Sequence, residues 1–87
     1  MNQKDNQTPV VDQNELRKDI ELTMGEMSAY KQLIDGHLFL SADPEYKPAS
    51  RKWHGEQVVF YTQRLREREA LIKKLTSLAE SEGILIR

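Results

Sequence analysis

The chain has 87 residues, no cysteine, and a charged fraction of 31%, with 13 Lys/Arg against 14 Asp/Glu. That length allows one small domain with a poor surface-to-volume ratio, and the lack of cysteine excludes disulfide staples, thiolate catalysis and thiolate metal sites. Only 38% of residues are hydrophobic, and no apolar run nears the ~18–20 residues of a membrane span, so amphipathic helices with much exposed surface are expected. Residues 1–50 hold five Lys/Arg and nine Asp/Glu, a net −4, whereas residues 51–87 hold eight and five, a net +3. An acidic first helix lying beside a basic second one accounts for this split.

Residues 1–9 are polar and without period, and are expected to form a disordered lead-in. MNQKDNQT also lacks the apolar core of a secretory signal, so a cytoplasmic location is expected. The next residues make a helix start: Asp12 as N-cap, Glu15 at the third helical position, and Val11 with Leu16 as a hydrophobic staple. Leu16, Ile20, Thr23, Met27, Tyr30, Ile34 and His37 then recur at alternating steps of 4 and 3, a coiled-coil-like seam with Thr23 as a polar position. Met24, Leu33 and Leu38 flank it. Gly25, inside this helix, marks either a close helix approach or a tolerated weak point.

The first helix is placed at 13–38 and a loop at 39–49. In the loop, Asp43-Pro44-Glu45 reads as a capped turn, Pro48 closes it, and Ser50 caps the second helix. That helix is placed at 50–82. It carries apolar residues at Trp53, Val58, Tyr61, Leu65, Ile72, Leu75 and Ala79, with Phe60, Leu71 and Leu78 alongside. Gly83 ends it, Ile84 folds back on Leu78 or Ala79, and residues 83–87 form a short tail.

Two helices joined by a loop of about ten residues, longer than the 2–8 usual between bundled helices and on that ground a candidate for function, make an all-α antiparallel hairpin, in a register that sets His37 near His54, Tyr30 near Phe60 and Thr23 near Arg68. A lone hairpin leaves its apolar stripes wet. Self-association into a four-helix bundle, as a homodimer, is therefore expected, with Leu16, Ile20, Met27, Ile34, Leu65, Arg68, Ile72 and Leu75 as its seam.

The chemistry-bearing residues are few. Arg68 sits in the seam, its stem packing and its guanidinium reaching to Glu21, Glu26 or a residue of another subunit. Arg64 and Arg68 share a helix face while Arg66 points about 200° away from Arg64, and the run is interleaved with Glu67 and Glu69, which is the pattern of a solvated face more than of a nucleic-acid stripe. His37 and His54 together with Asp35 or Asp43 could hold a metal, but their spacing matches no metal motif, so neither metal nor cofactor is expected. There is no nucleophile–base arrangement and no phosphate loop, and an enzyme is not expected.

All six aromatics fall between residues 30 and 61, at the loop half of the hairpin. They form either a local mini-core or a binding surface, in which Phe39, Tyr46 and Trp53 anchor a partner while Lys47 and Arg51 steer it.

The layout Tyr30-x-x-Leu33-Ile34, a loop, and Gln57-x-x-x-Tyr61-x-x-x-Leu65 resembles the small helical-hairpin proteins that tailed bacteriophages encode. The loop DPEYKP departs from that family's acidic, proline-poor one, and no functional residue is carried across. The resemblance implies a small inhibitor or adaptor that acts by binding another protein. The alternative is a nucleic-acid-binding hairpin dimer.

Overall fold

The first helix begins where a side chain caps it. Asp12 has extended backbone angles, and its carboxylate accepts from the backbone N–H groups of Asn14 and Glu15 at 3.0 and 3.1 Å. Two of the four N–H groups that a helix start leaves without partners are thereby satisfied. The structure, a computed structural model, describes residues 12–84. The expected lead-in, the Val11 side of the staple and residues 85–87 of the tail lie outside the described residues.

The chain forms two helices, α1 (Gln13–Ser41) and α2 (Pro48–Ser81), packed against each other as a hairpin. The alternating 4 and 3 spacing works as expected. Leu16, Ile20 and Thr23 are buried between the helices, and Met27, Tyr30, Ile34 and His37 are half-buried along the same stripe. From α2, Val58, Tyr61, Leu65, Arg68, Ile72 and Leu75 are half-buried and Ala79 is fully enclosed. Thr23 needs no partner from elsewhere, because its hydroxyl donates to the Asp19 carbonyl one turn back at 2.7 Å.

The closest packing is at the open end, where Leu16, Ile20, Ala79 and Ile84 form the core with Ile72 and Leu75 against it. Gly83 makes this possible. Its φ of 73° is the left-handed conformation that glycine adopts without a Cβ clash. The chain then turns so that Ile84 N–H reaches the Ala79 carbonyl at 2.8 Å and Gly83 N–H the Glu80 carbonyl at 3.1 Å. This is the Schellman arrangement, and it tucks Ile84 back onto the helix it has just left.

Three boundaries differ from those expected. First, α1 runs three residues further, to Ser41, whose hydroxyl donates back to the Leu38 carbonyl. Second, α2 starts at Pro48 and not after it. Lys47 is the N-cap, extended at ψ 148°, and no side chain caps the helix; Ser50 is already helical. Proline has no N–H to satisfy and a preset φ, so it suits a first helical position, and it holds the residue before it extended. Third, the connection spans only residues 42–47, within the 2–8 usual for bundled helices, so its length does not mark it as functional.

Gly25 is exposed, and a Cβ there would meet nothing within 4 Å. It is a tolerated weak point and not a close approach. The hairpin measures 65 × 27 × 15 Å. A helix with its side chains is about 10–12 Å across, so the described residues form a single layer of two helices with both broad faces open. Among the described residues no helix is long and apolar enough to cross a membrane.

Candidate functional site: the aromatic tip

Asp43 shapes the tip. Its carboxylate accepts from Glu45 N–H at 2.9 Å, its carbonyl accepts from Tyr46 N–H at 3.2 Å, and its own N–H reaches the Leu40 carbonyl. A side chain bonded two residues on makes a tight turn without glycine, and Pro44 restricts it further. Tyr46 is thereby set over α2, its ring 6.0 Å from that of His54.

Beneath Tyr46 the two helices meet through imidazoles. His37 Nδ1 lies 2.8 Å from His54 Nδ1, as the expected register placed them. His37 stacks on Tyr61, with centroids 5.8 Å apart and planes 12° apart, and Tyr61 continues to Tyr30 at 5.9 Å. Trp53 makes T-shaped contacts with both imidazoles, its centroid 5.6 Å from that of His37 and 5.0 Å from that of His54. One ladder of rings thus runs from Tyr30 to Tyr46 and fastens the loop to the helices.

Of the expected anchors, Phe39 is 71% exposed, Trp53 52% and Tyr46 42%. Trp53 therefore packs on the histidines and still leaves about half of its surface bare. Lys47 is exposed. Arg51 is set deeper than Lys47. It is half-buried, and its Nε is enclosed with no hydrogen-bond partner among the described residues. Burial of its stem keeps much of the side chain off the open surface.

Two of the other arginines meet carboxylates. Arg68 meets Glu26 across the helices at 3.2 Å, which selects one of the carboxylates expected for it and does so within one chain. Arg64 pairs with Glu67 at 3.1 Å and lies 5.1 Å over the Phe60 ring. Among the described residues no three His, Asp or Glu side chains gather as metal ligands around the histidine pair.

The Tyr30 contact was expected with Phe60 and is made by Tyr61. The seam steps already name Tyr61 as the inward residue, and one residue's rotation of about 100° turns Phe60 to the outside. Comparisons with protein-family models, with curated proteins and with solved structures gave no match.

Proposed function

We propose that this chain is a non-enzymatic interaction protein, a small inhibitor or adaptor of the phage hairpin type. It works in the cytoplasm as a homodimer and docks on another protein through its tip. The observation that carries this reading is the exposure of Tyr46 on a turn held by the Asp43 hydrogen bonds, with Phe39 and Trp53 exposed on the helix ends that flank it and the histidine pair joining those ends. Aromatic side chains in a fixed frame bind with little loss of rotamer freedom, and they dominate interface energies. Lys47, exposed beside them, favours an acidic rim on the partner.

A nucleic-acid reading is weaker, because Arg64 and Arg68 already face carboxylates. Affinity capture with the tagged chain, compared with Phe39→Ser and Tyr46→Ser variants of unchanged helicity, tests the proposal. A protein retained by the native tip and lost from both variants supports it. Retention unaffected by both changes removes the tip as the site. Retardation of duplex DNA or structured RNA at physiological salt, abolished by Arg64→Ala and Lys73→Ala, supports the alternative in its place.

A further inference from the structure

A second stripe lies one residue before each seam position. On α1 it reads Glu15, Asp19, Leu22, Glu26, Ala29, Leu33, Gly36 and Leu40, and on α2 Gln57, Phe60, Arg64, Glu67, Leu71, Lys74 and Leu78, both at steps of 4 and 3; Trp53, expected with the inward residues, stands one before the inward His54 and so joins this stripe. Because the helices run in opposite directions, a one-residue offset of the same sense on each turns both stripes to the same broad face. A shallow groove lined jointly by Leu22, Glu26, Arg68 and Leu71 shows the two stripes meeting there. The positions one after the seam, on the reverse face, include Arg17, Glu21, Lys31 and Asp35 on α1 and Arg66, Glu69 and Lys73 on α2, with Met24, Leu38 and Val59 as apolar exceptions.

We infer that this offset face, and not the seam between the helices, is where a second copy of the chain docks. The seam residues expected to hold two hairpins together are spent within one hairpin. Leu22, Leu33, Trp53, Phe60 and Leu78 are each between 39% and 67% exposed. Together they leave on the order of 500 Å² of apolar surface, so two facing copies remove about 1,000 Å², the size a specific interface needs.

Charge selects both the occupant and its direction. α1 carries five carboxylates against three basic side chains, and α2 seven basic side chains against four carboxylates. A twofold axis parallel to the helices lays α1 of each copy on α2 of the other. Asp19 then stands level with Lys74 of the second copy, and both tips lie at the same end. The other face-to-face twofold lays α1 on α1 and α2 on α2, like charge on like. The same-end arrangement sets two aromatic tips side by side, with Trp53 at the junction of the face and the tip. It builds on the docking role proposed for the tip and makes that role bivalent.

The chain has no cysteine, so a single Lys47→Cys variant carries one spin label per copy at the tip. Interchain distances measured on this variant are expected in the range of neighbouring helix ends, far below the 65 Å length of the hairpin. Leu22→Glu, on a side chain too exposed to be needed for folding, and Leu71→Glu are expected to abolish the distance with helicity retained. Val59→Glu, off the offset face, is expected to leave it. A distance approaching the full length overturns the same-end pairing, and a distance that survives Leu22→Glu overturns the face. The absence of any interchain distance overturns the inference as a whole; the capture experiment on Phe39 and Tyr46 is read separately and stands or falls without it.

Discussion

His37 Nδ1 and His54 Nδ1 are 2.8 Å apart while their ring centroids are 5.0 Å apart, so the two nitrogens aim nearly straight at each other. Two ligands of one metal converge on a point off the line between them, whereas a shared proton lies on that line. The pair is built as a hydrogen bond. One ring must carry a proton on Nδ1 and the other must leave its Nδ1 free to accept it. Long-range nitrogen–proton spectra of the two rings at neutral pH are predicted to show these unlike tautomers; two Nε2–H rings would contradict the geometry. A double-mutant cycle with His37→Ala and His54→Ala is predicted to give a coupling of about 0.5–1.5 kcal/mol in urea unfolding.

Asp12 is the side chain that caps α1, since it accepts from both Asn14 and Glu15. Asp12→Ala is predicted to lower stability by about 1 kcal/mol, and Asp12→Asn by much less, because asparagine retains the acceptor. Denaturant midpoints check this, and equal losses in the two variants would count against the cap.

Two glycines are predicted to respond in opposite directions to the same change. Gly25→Ala places a methyl group in open space on an exposed helix surface and is predicted to stabilise by about 0.5–1 kcal/mol. Gly83→Ala forces a side chain into the left-handed region and is predicted to destabilise by about 1–2 kcal/mol. It also loosens Ile84 from the open-end core. Thermal midpoints moving in the same direction for both would contradict this account.

The Arg68–Glu26 pair links the helices but leaves 35% and 39% of its side chains exposed. Glu26→Gln is therefore predicted to cost no more than about 1 kcal/mol at low salt, and the difference from the native chain is predicted to vanish near 1 M salt. A larger loss that persists in high salt would show the pair to be a structural requirement.

The inner surface of the hairpin was legible in the sequence because a 4 and 3 spacing admits one inward face. Leu16, Ile20, Thr23, Met27 and Ile34 all lie where that spacing puts them. The Asp12 cap and the Gly83 turn were legible for the same local reason, since each depends on residues within one helical turn. The loop ends were not. An end at Leu38 and a cap at Ser50 are plausible taken alone, but α1 continues to Ser41 and the fixed φ of Pro48 starts α2 two residues earlier. The offset stripe was visible only in part, as the flanking Leu33, Phe60, Leu71 and Leu78, because no spacing shows that Leu33 of α1 and Leu71 of α2 share a face until the two helices are set antiparallel.

The central claim is that this single-layer hairpin is completed by a second copy of itself across an aliphatic and aromatic face. Light scattering on the full chain at about 10 μM, in roughly 0.1 M and 1 M salt, tests it most directly. The account predicts twice the chain mass at both salt concentrations, because buried apolar surface and not ion pairing supplies most of the association. A mass of 10.1 kDa, that of one chain, under both conditions would contradict it.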